Sequence, residues 1–243
     1  MLAGWTRTAI AGKPADVFAP PDALPQTVLY LHSLHAETPA ADPVLTAALT
    51  AHRLRCVAPF GGQCWWADRV CAEFDPDVTP ERFVLESVVP WAEAEWQLGP
   101  RALALAGVEM GGQGALRIAF KHPDRFPVAA SLSGALDCQD WYGLGSPLDG
   151  MYDSRERCRL DTTVLHVHER HWPARLWFCC APDDGACYLG NDRLREKLRA
   201  MGVPHTADLD TKPPAGETYA DHMAPRMLAF VADALRREAN RLV

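Results

Sequence analysis

Gly107-Val108-Glu109-Met110-Gly111-Gly112 lies between an apolar run, Leu103-Ala104-Leu105-Ala106, and a second stretch, Gly114-Ala115-Leu116-Arg117-Ile118-Ala119-Phe120. The first run reads as a strand and the second as a helix, so the hexapeptide must turn the chain sharply from one into the other. Glycines on either side of the turn permit tight geometry and close packing of helix on strand. The pattern fits a G-x-S-x-G nucleophile elbow, which lifts its central side chain above the sheet. Here a glutamate occupies the serine position. The architecture is kept while the usual hydroxyl chemistry is lost.

Working outward, Val28-Leu29-Tyr30-Leu31-His32 predicts a strand that enters Ser33-Leu34-His35. Asp42 and Pro43 mark a helix start, continuing through Val44, Leu45, Ala48 and Leu49. Cys56-Val57-Ala58 predicts a further strand, and Thr79-Pro80 opens a helix that Pro90 bends or divides. After the elbow, strands are expected at Pro127–Leu132 and Arg175–Cys180, with an irregular excursion at about 134–163 forming a cap or pocket rim. Asn191 is expected to cap a helix reaching Met201, ended by Gly202 and followed by Pro204. The last helix is expected from about Asp221 to Asn240, with Met227, Phe230, Val231, Ala234 and Leu235 facing inward. Strands separated by helices favour an α/β class with right-handed crossovers and a mostly parallel sheet covered on both faces.

The 243 residues suit one large domain over 1–243, and the 48% apolar fraction supplies a substantial core. A formal charge of −7 gives nucleic acid no general attraction. No secretory n-region and h-region stand at the start, and no run approaches the ~20 apolar residues of a membrane span. Eight cysteines in a chain of this length need no disulfide framework, and Cys179-Cys180 reads as two small buried hydrophobes on a strand. A reducing, cytoplasmic setting is expected, and a homo-oligomer is allowed. Cys64 and Cys71 lack ligand spacing. His166, His168 and His171 are three potential metal donors, but a loop would have to turn His171 back towards the other two. Ordinary strand-end histidines are the favoured reading, and no metal or cofactor is implied.

The segment Glu109-Met110-Gly111-Gly112-Gln113-Gly114-Ala115-Leu116-Arg117, followed by His122-Pro123 and Phe126, resembles the α/β-hydrolase superfamily. Within it, the segment is similar to the esterase family that includes S-formylglutathione-hydrolase-like enzymes and mycolyltransferases, whose elbow reads G-x-S-M-G-G-x-G-A-x. Leu29–His32, Gly61-Gly62-Gln63-Cys64-Trp65-Trp66 and Gly190-Asn191-Asp192-Arg193-Leu194 extend the likeness over most of 13–239. The resemblance implies an α/β-hydrolase fold with the nucleophile position at Glu109. It also implies oxyanion donors at Met110 N–H and near Leu34, and an acid at Asp184 rather than Asp183. Relatives carry a G-G-H-S-W-like stretch before the last helix. Here Ala215–Met223 lacks that histidine in register, which leaves His222 as the base candidate of an altered site, with a satisfied helix-terminal histidine as the favoured reading. His35 is a candidate substitute base or ligand contact, with a solvated or locally bonded loop histidine as the favoured reading. Trp65, Trp66, Trp141 and Tyr142 are pocket walls or core.

A carboxylate at a helix N-terminus is electrostatically favoured, and there it competes for the donors an oxyanion would use. It has no hydroxyl through which to form the usual acyl ester. The preferred expectation is an esterase-like protein with a dismantled triad, a non-hydrolytic pseudoenzyme or binder of a small acyl-like or apolar ligand. The alternative is a hydrolase using Glu109 as nucleophile or general base on an ester, alkyl halide or epoxide.

Overall fold

The computed structural model describes residues 1–241. Two strands that the apolar pattern did not predict come first. β1 (Trp5–Ile10) and β2 (Lys13–Phe18) form an antiparallel hairpin through Ala11 and Gly12, both at positive φ. β3 (Thr27–Leu31), α1 (Pro43–Ala51) and β4 (Arg55–Pro59) follow. A long helical run then comprises α2 (Pro80–Phe83), a π turn over Val84–Val88 and α3 (Val89–Trp96). β5 (Leu103–Val108) leads into α4 (Met110–Lys121), then β6 (Val128–Leu132). The chain continues through α5 (Leu148–Met151), α6 (Arg155–Arg159), β7 (Arg175–Cys179), α7 (Tyr188–Ala200), β8 (Thr206–Asp208) and α8 (Tyr219–Ala239).

The eight strands lie in the order β1-β2-β4-β3-β5-β6-β7-β8. β1–β2 and β2–β4 are antiparallel, and all later pairings are parallel. Every residue of β3 and β6 is buried. Because successive side chains point to opposite faces, each buried strand feeds two apolar layers. Leu29, Leu31, Leu105 and Ala129 pack with α4 and the α2–α3 run. Val28, Tyr30, Ala104, Ala106, Val128 and Ala130 pack with α1 and α8.

The helix starts follow their sequence signals. Asp42 accepts the N–H groups of Val44 and Leu45, with Pro43 at the first helical position. Thr79 accepts from Arg82 N–H ahead of α2, and Thr218 accepts from Asp221 N–H ahead of α8. Pro90 does not divide its helix. The wider π turn just before it takes up the missing N–H. Asn191 is a correction: α7 begins three residues earlier, and the asparagine is fully buried inside it. Its Nδ2 donates to Gly134 O (2.8 Å) and Cys187 O (2.9 Å), so it ties the helix to the loop after β6.

The excursion at 134–163 folds into short helical turns, including α5 and α6. It is fastened to α4 by buried charge. Arg117 pairs with Glu81 and donates to Asp161 Oδ1 at 2.6 Å, and Arg117 and Glu81 are each 2% exposed. Lys121 also pairs with Glu81, while Tyr152 and His166 donate to Asp161 at 2.7 and 2.9 Å. Asp68 accepts from Thr79 Oγ1 at 2.8 Å. Among the described residues no helix is long and apolar enough to cross a membrane.

Candidate functional site

β5 ends at Val108 and α4 begins at Met110, so Glu109 alone makes the turn, at φ 50° and ψ −113°. A non-glycine residue there is strained, and such strain persists only where neighbours over-determine it. Three backbone bonds do so. Glu109 N–H donates to Leu132 O (3.0 Å), and Glu109 O accepts from Gln113 N–H (2.9 Å) and Ala135 N–H (3.0 Å). Gly111 is required by close approach rather than by φ. A Cβ there would lie 1.9 Å from Leu31 O, so any side chain would push α4 off β3.

The Glu109 side chain is half-buried and makes no cap bond to the helix it precedes. It therefore does not occupy the Met110 N–H, which stands in the first turn of α4 with no helical acceptor. In the turn after β3, Leu34 N–H likewise has no acceptor among the described residues. The expected self-blocking of these donors by the carboxylate is absent. Burial raises the Glu109 carboxyl above its ordinary value. His35 draws it back down, and the charge of Asp184 pushes it further up.

Glu109 faces a cavity of about 540 Å³ at the carboxyl ends of β3, β5 and β6, closed by the first turns of α1 and α8. The chain runs from β3 to one side and from β5 to the other, so the cavity sits where strand order reverses. Ligands of open α/β sheets bind at that point. Tyr30, Ser33, Glu37, Asp42 and Asp221 share its wall. None of them was a candidate from sequence. Asp42 and Asp221 were legible only as helix-start residues, and Tyr30 only as part of an apolar strand.

The other candidates divide. His35 is exposed and lines the cavity, but its ring makes no hydrogen bond among the described residues. Asp184 follows β7 and acts on Glu109 through charge. Its Oδ1 is engaged by Ala186 N–H (3.1 Å) and Cys187 N–H (3.0 Å), whereas Asp183 is exposed beside Lys212. His222 lies in the first turn of α8 and does not line the cavity. Its Nδ1 is 3.1 Å from Glu217 Oε2, so its hydrogen bond is local to that helix start.

Trp65 and Trp66 are corrections, because both are fully buried and form no pocket wall. Trp66 Nε1 donates to His32 O (3.2 Å) and its Cβ packs against Gly114, where a methyl would come within 2.4 Å. Trp65 N–H meets Met110 Sδ at 3.2 Å, and its carbonyl accepts from Gln113 Nε2 at 2.7 Å. These bonds brace the elbow from beneath. Trp141 stacks obliquely on Trp65 with centroids 5.5 Å apart, and it and Tyr142 pack against that same core away from the Glu109 cavity.

His32, also fully buried, accepts Gly61 N–H at Nε2 (2.9 Å) and donates from Nδ1 to Ser33 O (2.7 Å). Its roles are structural, and burial lowers its pKa. His166 and His171 bond to Asp161 and Asp124, while His168 accepts Arg170 N–H. The three are thus held by separate partners.

The family profile described as Putative esterase matches residues 59–196. The chain is 33% identical over 197 residues to Esterase Rv1288 of Mycobacterium tuberculosis, covering 69% of this chain and 42% of that protein. It is 36% identical over 137 residues to the diacylglycerol acyltransferase/mycolyltransferase Ag85C of Mycobacterium leprae, covering 49% and 39%. The chain thus spans about two fifths of these curated relatives. Among solved structures, FphF, a fluorophosphonate-binding serine hydrolase of Staphylococcus aureus, superposes with TM-score 0.75 at 18% identity, covering 90% of this chain and 92% of that one. MPT51 of Mycobacterium tuberculosis superposes with TM-score 0.70 at 21% identity, covering 97% and 99%. With its α/β-hydrolase fold and a profile match across more than half its length, the chain belongs to the Putative esterase family.

Proposed function

We propose that this chain is a non-hydrolytic member of its family, keeping the small-molecule cavity of an esterase after losing the triad. One observation carries the reading. The strained vertex between β5 and α4, where the resemblance places a nucleophilic serine, holds Glu109, and no hydrogen bond joins it to a histidine among the described residues. A carboxylate attacking an acyl carbon would give an anhydride, not the acyl ester from which water normally completes turnover. In a triad an imidazole takes the nucleophile's proton and later activates the hydrolytic water, and His222, the residue nearest that role in sequence, is engaged with Glu217 instead. The cavity of about 540 Å³ supports binding of a small acyl-like or apolar molecule. Eight buried, unpaired cysteines support a reducing, cytoplasmic setting.

A second reading has its own support. The Met110 and Leu34 N–H groups are not capped by Glu109, and a raised carboxyl pKa suits a base or a nucleophile towards alkyl carbon. Incubation with short esters, alkyl halides and epoxides, in parallel with Glu109→Gln, separates the two. The expected result is no turnover above background by either protein. Turnover by the natural chain that disappears in the glutamine variant would move the chemistry onto Glu109.

A further inference from the structure

The wall of the Glu109 cavity is unbalanced in charge. Glu37, Asp42, Glu109 and Asp221 line it, His35 is its one imidazole, and neither lysine nor arginine contributes. Asp42 and Asp221 are already committed, the first to Val44 and Leu45 N–H and the second to the Thr218 hydroxyl at 2.7 Å. Glu37 and Glu109 make no ion pair or side-chain hydrogen bond among the described residues.

Tyr30 adds an observation independent of the acids. The residue is 4% exposed, held in β3 beneath α1 and α8, and it lines this cavity. Its hydroxyl has no hydrogen-bond partner among the described residues. The ring is buried but the hydroxyl oxygen is not enclosed by protein, so it opens onto the cavity where a donor can reach it. Val44, Leu45, Val108, Leu132 and Ala224 complete the wall with an apolar strip.

We propose that the cavity binds a small primary alkylammonium, its head donating to Glu37, Glu109 and the Tyr30 oxygen while its alkyl chain lies along Val108, Leu132 and Ala224. The proposal rests on the ligand-binding reading above and fixes its chemical class. An ammonium has three donors and no acceptor, which matches a wall dominated by acceptors. Charge-assisted bonds to carboxylates are stronger than neutral ones. A carboxylate ligand would instead face four acids, and an alcohol would fill the apolar strip without neutralising Glu37 or Glu109.

Calorimetric titration with hexylamine, 1-hexanol and hexanoate tests this with one alkyl chain and three heads. Hexylammonium should bind at least about tenfold more tightly than either of the others. Its affinity should weaken between about 20 mM and about 500 mM salt. Tyr30→Phe removes only the hydroxyl, and Glu37→Gln alters an exposed side chain. Each should weaken amine binding roughly threefold or more while leaving Tm and circular dichroism unchanged. Equal or tighter binding of hexanol or hexanoate overturns the ammonium assignment and leaves a ligand-binding cavity in place. No saturable amine binding, or amine binding indifferent to both variants, also overturns it. Ester or alkyl-halide turnover at Glu109 would instead overturn the parent reading.

Discussion

At the head of α4 the Glu109 carboxyl meets one exposed histidine and a second acid. Along the same helix, Arg117 and Lys121 reach Glu81 and Asp161. Burial alone would raise every one of these carboxyls. At Glu81 the hydrogen bond from His122 and the charges of Arg117 and Lys121 outweigh burial and bring it down to about 2. At Asp161, His166, Arg117 and Tyr152 likewise hold it well below the usual range. At Glu109 nothing outweighs burial, so the carboxyl stays raised. The buried cluster is closed and structural, whereas Glu109 and Glu37 in the cavity have no side-chain partner among the described residues.

The sharpest way to break this contrast is Arg117→Met. Removing one partner of a buried pair strands the other charge, typically costing about 3–5 kcal/mol. Lys121 and His122 still face Glu81 and should hold the loss near the lower end. Denaturant unfolding should show the loss, and adding Glu81→Gln should restore part of it. An exposed pair such as Arg82–Glu86 should be worth only about 0.3–0.5 kcal/mol, so its removal is the internal control. Equal losses at both pairs would mean that burial adds nothing to the Arg117–Glu81 pair.

Acid titration is the next largest effect. Glu81 has a folded value below its ordinary 4.5, so its stabilisation is complete above that pH and lost as pH falls towards about 2. Glu81→Gln should flatten the acid limb of Tm against pH across that window.

The smallest effect runs the other way. The folded protein holds the Glu109 proton more tightly than the unfolded chain, so this residue's contribution to stability is greatest below pH 4.5 and declines as pH rises through the raised value. The Tm difference between Glu109→Gln and the natural chain should therefore grow in favour of glutamine from pH 4 to pH 8. A difference independent of pH would mean that burial does not perturb Glu109.

Local signals identified the elbow, the helix starts at Asp42 and Thr79, and the buried strands, because each depends on a few neighbouring residues; the last helix starts at Tyr219, two residues before the expected Asp221, capped by Thr218. β1 and β2 escaped notice because Trp-Thr-Arg-Thr-Ala-Ile and Lys-Pro-Ala-Asp-Val-Phe mix polar with apolar positions. Their strand state rests on pairing with each other and with β4, which is non-local. Asn191 misled because the same amide that caps helices also serves as a buried tether. The tryptophans misled because area and hydropathy describe a pocket wall and a core residue alike.

The order of residues by itself determined that a helix springs abruptly from a buried strand at Glu109, and that no acyl ester can form through a hydroxyl there. Both follow from covalent structure and from glycine sterics across a few bonds. Only the folded arrangement decided which charges share the cavity, that His222 turns to Glu217, and that Trp65 and Trp66 sit under the elbow rather than beside its mouth. Those outcomes depend on distances between segments far apart along the chain, set by strand order and packing that no short stretch encodes.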